Sequence, residues 1–161
     1  MGVAGSGKTT VGKALARGAG WHFLDADACH SPENVEKMRR GEGLTEAERA
    51  PWLARLREAL AGAKSQGENV VLACSALKRA HREILQVGGV RFVYLRVSPG
   101  VLRARLAGRR NHYAGPGLLQ SQLAAFEEPG EKEALRVQVR GDERPDDLAA
   151  EIRRELGVAG G

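Results

Sequence analysis

Residues 2–9 of the chain read Gly2-Val3-Ala4-Gly5-Ser6-Gly7-Lys8-Thr9, which matches the pattern G-x-x-x-x-G-K-[ST]. Glycine permits the tight turns through which successive backbone N–H groups point at one phosphate. A helical pattern over Val11–Arg17 follows, so the positive end of a helix dipole is expected to face the same anion. The motif therefore predicts a nucleotide-binding loop, with a glycine-rich turn that merely caps a helix as the alternative.

Two side chains at the end of this loop carry the predicted chemistry. Lys8 is expected to reach the β- and γ-phosphate oxygens of ATP, and the Thr9 hydroxyl to ligate Mg²⁺. We therefore predict ATP and Mg²⁺ as cofactors and Lys8 as a catalytic residue. The predicted nucleotide contacts are Gly2, Val3, Ala4, Gly5, Ser6, Gly7, Lys8, Thr9 and Thr10.

Apolar runs of strand character alternate along the chain with stretches of helical period. The predicted strands are Trp21–Leu24, Val70–Cys74, Phe92–Val97 and Leu135–Val139. The predicted helices are Val11–Arg17, Thr45–Lys64, Lys78–Leu85, Ser98–Arg110, Leu118–Glu128 and Asp146–Leu156. This alternation predicts the α/β class, as a three-layer P-loop kinase fold with a parallel sheet and helices on both faces. We expect a single domain over residues 1–161.

One expected element is missing at the start of this pattern. A phosphate loop of this kind follows a buried strand of about five residues, yet only Met1 precedes Gly2. We therefore expect the first strand to be largely truncated and the sequence to begin inside a longer protein. On that expectation, the chain folds poorly and lacks full activity.

The composition argues against several classes of partner. The formal net charge is +5 and the sequence pI is about 9.6, but only 4% of residues are aromatic. An anionic small substrate accounts for this charge, and nucleic-acid binding is not expected. Cys29 and Cys74 lack the spacing of a disulfide framework or a metal site. With no apolar run of about 20 residues and no signal sequence, we expect no membrane association and a cytoplasmic location.

Acidic residues near the predicted strands narrow the class of nucleotide-binding protein. The chain has no Asn-Lys-x-Asp motif, which is typical of GTPases, and Val70–Cys74 is not followed by the aspartate of motor and transporter ATPases. The strand Trp21–Leu24 runs instead into Asp25-Ala26-Asp27, as in many small-molecule kinases. Acids at i and i+2 of an extended segment share a face. We predict Asp25 as a metal ligand and Asp27 as the catalytic proton acceptor, with a solvated acidic turn as the alternative.

A run of arginines precedes a turn-rich segment in the last third of the chain. Arg105, Arg109 and Arg110 lie at the end of a predicted helix, before the glycines and proline of 111–117. Guanidinium groups here are expected to clamp the transferred phosphate under a lid near residues 109–117. We predict Arg109 as the catalytic arginine. Arginines at a solvated helix C-terminus, favoured by the dipole, are an equal alternative.

These residues, together with three further stretches, resemble the gluconate kinase (gluconokinase) family. Met1–Thr9 is similar to the family motif M-G-V-[SA]-G-S-G-K-[ST]. Phe23–Asp27, with His30 and Pro32–Asn34, is similar to F-x-D-[AG]-D-x-x-H-P-x-x-N, and Gly41–Leu53, with Arg49, to G-x-P-L-x-D-x-D-R-x-P-W-L. Val70–Lys78, which reads V-V-L-A-C-S-A-L-K, is close to diagnostic of the family. The resemblance extends from Met1 to about Pro129.

The resemblance implies a function and a substrate site. It implies ATP-dependent phosphorylation of D-gluconate to 6-phospho-D-gluconate, in the pentose phosphate route, by a homodimer. Asp27 would face the sugar hydroxyl, and Lys78 and Arg82 would bind the carboxylate of gluconate. His30 would contact a further hydroxyl, with a histidine of no function at a helix start as the alternative.

The chain also departs from the family pattern. His81 stands where the family has tyrosine, and the lid motif Gly-His-Phe is replaced by Asn111-His112-Tyr113. These changes leave two other functions open. One is a kinase for another small acid, of the shikimate-kinase type, and the other is a nucleotide-binding module without catalysis.

Overall fold

The computed structural model describes residues 1–107 and 116–160, and of residues 116–118 only the backbone. Four strands are present in this part of the chain: β1 (His22–Asp25), β2 (Val70–Ala73), β3 (Phe92–Val97) and β4 (Ala134–Val139). The helices are α1 (Lys8–Ala19), α2 (Pro32–Arg39), α3 (Glu46–Ser65), α4 (Arg79–Leu85), α5 (Pro99–Ala107), α6 (Pro116–Ala125) and α7 (Pro145–Leu156). A 3₁₀ turn, Ala26–Cys29, follows β1 directly.

Local sequence signals fix several of these boundaries. Thr45 and Glu48 form the predicted capping box of α3, because the Thr45 hydroxyl accepts from the Glu48 N–H at 3.3 Å and the Glu48 carboxylate accepts from the Thr45 N–H at 2.7 Å. Helix α2 was not predicted. It begins after Ser31, whose hydroxyl accepts from the Asn34 N–H at 3.3 Å, and Pro32 occupies its first turn.

The strands pair in parallel, as the alternation with helices predicted. β1 pairs with β2, with His22 opposite Val70, and β3 pairs with β4 over six residue pairs from Phe92 opposite Ala134. The sheet is not continuous in the described residues, however, since the strands form two separate pairs.

Met1 lies between the two strand pairs, and backbone hydrogen bonds connect it to β3. Its α-amino group donates to the Val93 carbonyl, and its carbonyl accepts from the Leu95 N–H at 3.0 Å. These two bonds flank Tyr94 in the pattern of one rung of a parallel ladder. On the other side, the Gly2 N–H donates to the Ser75 carbonyl at 3.3 Å. A single rung therefore connects the two pairs, and no strand precedes the phosphate loop in the part of the chain that the structure describes.

Next to this rung, a cavity of about 440 Å³ separates β2 from β3. Its walls are mostly apolar and include Val71, Ala73, Phe92 and Val93. Protein interiors contain few voids larger than one water molecule. The cavity is therefore an unfilled slot between the two strand pairs.

Helices cover both faces of the strands, which makes three layers. On one face, Val11 and Leu15 of α1 and Ile152 of α7 pack with Val137, and the partly buried Val71 joins them. On the other face, Trp52 and Leu56 of α3 and Leu85 of α4 pack together. Val70 and Leu72, the neighbours of Val71 in β2, are partly buried against them. Alternate β2 side chains thus point to opposite layers, as strand geometry requires.

Candidate active site

The phosphate loop owes its shape to its glycines. Gly5 and Gly7 have φ angles of 81° and 97°, in the left-handed region that side chains disfavour. Gly7 is the N-cap of α1, and its carbonyl accepts from the Val11 N–H at 2.9 Å. The start of a 12-residue helix therefore opens directly onto the loop. This is the arrangement that favours a bound phosphate.

Lys8 and Thr9 extend from the first turn of α1. The Lys8 ammonium donates to the Val3 carbonyl at 3.0 Å, so it folds back over the loop. The Thr9 hydroxyl donates to Asp25 Oδ2 at 3.0 Å. The two residues predicted as metal ligands are therefore in contact, although the sequence separates them by 16 positions.

The residues around Thr9 fit a magnesium ion held in part by phosphates. Among the described residues, no group of three or more His, Cys, Asp or Glu side chains could hold a metal ion by itself. Mg²⁺ usually binds through one or two protein oxygens together with substrate phosphates and water. Thr9 and Asp25 supply such a pair beside the phosphate loop.

The two acids after β1 have different environments. Asp25 is the last residue of the strand, and its Oδ1 accepts from the Asp27 N–H at 3.1 Å. This bond starts the 3₁₀ turn and directs the chain so that Asp27 lines a cleft beside the phosphate loop. The Asp25 carboxylate therefore contacts Thr9, and Asp27 lines the cleft.

The cleft brings together polar side chains from five segments of the chain. They are Lys8, Thr9, Thr10, Asp27, His30, Arg49, Ser75, His81 and Gln122. Its volume is only about 70 Å³, whereas sites for small molecules usually measure about 300–1,000 Å³. The larger slot between β2 and β3 lacks this set of polar groups, so the cleft is the candidate active site.

His30 lines this cleft, and one of its ring nitrogens has no hydrogen-bond partner among the described residues. Its ring stacks on Trp52 with a centroid separation of 4.4 Å and an interplanar angle of 11°. The Trp52 indole N–H donates to the Ala26 carbonyl at 2.7 Å, which fixes the stack. His30 Nδ1 is buried without a hydrogen-bond partner among the described residues, and burial lowers the pKa of His30. A buried, unpaired ring nitrogen is unusual and suits a ligand hydroxyl.

Comparison with known proteins agrees with this site. The family model that matches describes shikimate kinase and covers residues 4–157. A gluconokinase from Gluconobacter oxydans is 46% identical over 158 residues, which span 97% of this chain and 88% of that protein. The chain belongs to the gluconokinase family.

Two solved structures support the same assignment. A gluconokinase from Sinorhizobium meliloti is 41% identical, with a TM-score of 0.80 over 98% of this chain and 93% of that one. An unliganded sugar kinase from Janibacter is 37% identical, with a TM-score of 0.90 over 99% of this chain and 92% of that one. The gluconokinase resemblance and the P-loop kinase fold are therefore confirmed.

Arg82, predicted as a carboxylate ligand, does not reach the cleft of this gluconokinase-family chain. Its side chain is only 2% exposed and forms an ion pair with Glu133. Its Nη1 also donates to the carbonyls of Ala76, Leu77 and Glu127, at 3.2, 3.3 and 2.9 Å. Through these bonds Arg82 connects the loop before α4 with the segment before β4. In this structure the Arg82 guanidinium is therefore bound to protein groups, and its contact with a substrate carboxylate stays a prediction.

Lys78 lies at the edge of the site and is already paired. Its ammonium is 2.9 Å from Glu46 Oε1, and the buried His81 ring contacts Glu46 Oε2 at 2.8 Å. Hydrogen bonds from His81 and then Lys78 lower the pKa of Glu46 to about 2. Lys78 is not among the residues that line the cleft. A substrate carboxylate at Lys78 would have to compete with Glu46.

Sequence reasoning assigned no role to two residues that line the cleft, Arg49 and Gln122. Arg49 donates from Nε to the Leu44 carbonyl at 3.2 Å, and burial lowers the pKa of its guanidinium. The only sequence signal for Arg49 was its place in the Gly41–Leu53 motif. Gln122 lies in a stretch, Ser121–Phe126, that only partly matches a family motif, and its contact with the distant residue Ala4 could not be predicted from that match.

The predicted arginine clamp is only partly described. Arg105 Nη1 donates to the carbonyls of Gly5 and Ser6, at 3.3 and 3.4 Å, so α5 contacts the phosphate loop. Arg109, Arg110 and most of the predicted lid near 109–117 lie outside the described residues. Arg109 as a catalytic residue stays a prediction.

Proposed function

We propose that this chain transfers the γ-phosphate of ATP to D-gluconate and forms 6-phospho-D-gluconate. The observation that carries the proposal is one cleft in which the phosphate loop faces Asp27, His30 and Arg49. A phosphate cradle, a carboxylate and a cation are what transfer to a hydroxyl of an anionic substrate requires. The 46% identity to a gluconokinase supports the choice of acid.

Asp27 acts in this proposal as the acceptor of the hydroxyl proton. It lies in the same cleft as Lys8, which neutralises charge on the transferred phosphoryl group. Thr9 and Asp25 would hold Mg²⁺, which would supply positive charge beside the phosphate groups. Because phosphoryl transfer depends mainly on positioning and charge, an ordinary carboxylate suffices as the base.

Arg49 is the residue that we propose for the gluconate carboxylate. Its guanidinium carries a charge at neutral pH and lines the cleft, whereas the buried Arg82 does not line it and binds protein partners. His30, which lines the cleft, is proposed to contact a substrate hydroxyl. Lys78, whose partner Glu46 holds it at the edge of the site, stays a predicted contact of the gluconate carboxylate.

Kinetic constants of two variants distinguish these carboxylate contacts. Arg49→Ala is expected to raise the KM for gluconate at least tenfold with a smaller change in kcat, since it removes ground-state binding of an anion. Lys78→Ala is expected to raise KM less than Arg49→Ala does. The reverse order would place the carboxylate at Lys78 instead.

The homodimer, the cytoplasmic location and the lid near 109–117 stay predictions. No helix in the described part of the chain is long and apolar enough to span a membrane. Sedimentation analysis of the purified chain measures the oligomeric state.

The experiment that tests the function is an ADP-release assay on a panel of acids. Gluconate, shikimate and glycerate are each supplied with ATP and Mg²⁺, and gluconate is expected to have the highest kcat/KM. A higher value for shikimate would favour the shikimate-type kinase, with which the family model for residues 4–157 is compatible. ATP binding without ADP release from any acid would favour a non-catalytic nucleotide-binding module. Asp27→Asn serves as the control, because it removes the proton acceptor and keeps the shape of the side chain.

A further inference from the structure

Gln122 of α6 contacts the phosphate loop directly. Its side-chain Oε1 accepts from the Ala4 N–H at 2.6 Å, across 118 positions of sequence. Gln122 also lines the active-site cleft, and Ala4 is buried. The side chain therefore closes one wall of the cleft against the backbone of the loop.

The peptide group that Gln122 binds is the one that also holds Lys8. The N–H of Ala4 and the C=O of Val3 belong to the same planar unit. The Val3 carbonyl accepts from the Lys8 ammonium at 3.0 Å and from the Ser6 N–H at 3.2 Å. The described peptide bonds are all trans, so this N–H and C=O point in opposite directions. Gln122 and Lys8 thus form hydrogen bonds to opposite edges of one planar peptide group.

We propose that Gln122 is a positioning residue that orients the Val3–Ala4 peptide and, through it, the ammonium of Lys8. Rotation of this peptide group about the line that joins its two Cα atoms would move the Val3 carbonyl and the Lys8 ammonium bound to it. The hydrogen bond from the Ala4 N–H to Gln122 restrains that rotation. This role rests on the proposed kinase reaction, in which Lys8 acts on the transferred phosphate.

The test removes the acceptor oxygen and keeps the length of the side chain. Gln122→Met is expected to lower kcat about tenfold, the effect of one lost hydrogen bond expressed only in the reaction. The KM for ATP is expected to change less than about threefold. Gln120→Met, the same substitution at an exposed position of α6, is the matched control and should leave both constants unchanged.

A double-mutant cycle with Lys8→Ala separates positioning of Lys8 from any other role. If Gln122 acts through Lys8, Gln122→Met lowers kcat no further in the Lys8→Ala background. An equal tenfold loss in both backgrounds would overturn the proposal, as would an unchanged kcat in the single variant.

Gln122→Glu, which keeps an acceptor oxygen, is expected to retain kcat within about threefold while its charge raises the KM for ATP. A loss of kcat equal to that of Gln122→Met would also overturn the proposal.

The unmodified chain shows which idea has failed. If it releases no ADP with any acid of the panel, the proposed function is wrong. If it turns over gluconate and Gln122→Met matches it, only the role of Gln122 is wrong. A thermal melt of each variant confirms that the compared proteins are folded.

Discussion

Filling the slot between β2 and β3 is expected to stabilise the protein strongly. The perturbation is an Ile-Val-Val-Val segment fused ahead of Met1, where the rung opposite Tyr94 already has parallel geometry. The added residues would continue the ladder along β3 and β2, and their apolar side chains would enter the cavity of about 440 Å³. The slot would then be occupied by a fifth strand.

The size of the effect follows from the side chains that would be buried. Burying one Ile and three Val side chains at about 2.5 kcal/mol each contributes about 10 kcal/mol. Ordering four residues costs about 6 kcal/mol at about 1.5 kcal/mol each. The remaining gain of about 4 kcal/mol corresponds to a rise in Tm of about 10 °C for a domain of this size. Turnover is expected to rise as well, because the new strand anchors the phosphate loop.

The same extension should change how stability depends on pH. Burial, followed by the charge of Lys8, lowers the pKa of the Met1 amino group from 8.0 to about 5. Between pH 5 and 8 the unfolded chain therefore binds a proton that the folded chain does not. The free energy of unfolding should fall as pH falls from 8 to 5. An extension replaces this amine with a neutral peptide bond and should remove that dependence.

Thermal melts and ADP release on three proteins test this reasoning. They are the chain itself, the Ile-Val-Val-Val extension and a Ser-Gly-Ser-Gly extension of equal length as the control. Only the apolar extension should raise Tm and turnover. Equal melting temperatures for the two extensions would refute the account of the slot.

Three further predictions concern single side chains. Lys8→Ala is expected to lower kcat on the order of 10³-fold while the fold stays intact, since the phosphoryl group loses a neutralising cation; unchanged turnover would contradict the phosphate-loop assignment. Arg82→Ala is expected to lower the free energy of unfolding by about 1–3 kcal/mol in urea titrations, because it leaves buried carbonyl groups such as that of Ala76 without their donor. A raised KM for gluconate without loss of stability would restore Arg82 as a substrate ligand. Glu46, whose pKa of about 2 lies below its usual 4.5, contributes stability above pH 4.5 that is lost as pH falls towards 2. With Glu46→Gln, the free energy of unfolding should therefore fall less between pH 4.5 and pH 2 than it does in the unmodified chain. An equal fall in both proteins would contradict the pairing of Glu46 with His81.

The sequence was most informative where the signal is local. Phe92–Val97 was predicted with the bounds that the structure has, because a continuous apolar run is typical of a buried parallel strand. The capping box of α3 followed from the spacing of Thr45 and Glu48. Helix α2 was missed because its sequence, PENVEKMR, has only two apolar residues and shows no apolar face.

The site could be predicted only in part, because several roles depend on distant partners. Thr9 and Asp25 were identified from motifs, and the structure brings them into contact. Arg82 has the same sequence context whether it binds substrate or protein, and its ion pair with Glu133, 51 positions away, could not be predicted from that context. Gln122 meets Ala4 only after the fold is complete. Local patterns therefore identify the chemistry of a segment, and tertiary contacts decide which side chains remain available to a ligand.

The central claim is that this cleft phosphorylates the primary hydroxyl of gluconate. The most direct measurement is a proton-coupled ³¹P NMR spectrum of the chain incubated with ATP, Mg²⁺ and gluconate. The account predicts a new phosphate monoester signal split into a triplet by the two protons of C6, and none when Asp27→Asn replaces the unmodified chain. A doublet, which a secondary hydroxyl would give, or inorganic phosphate as the sole product would contradict it.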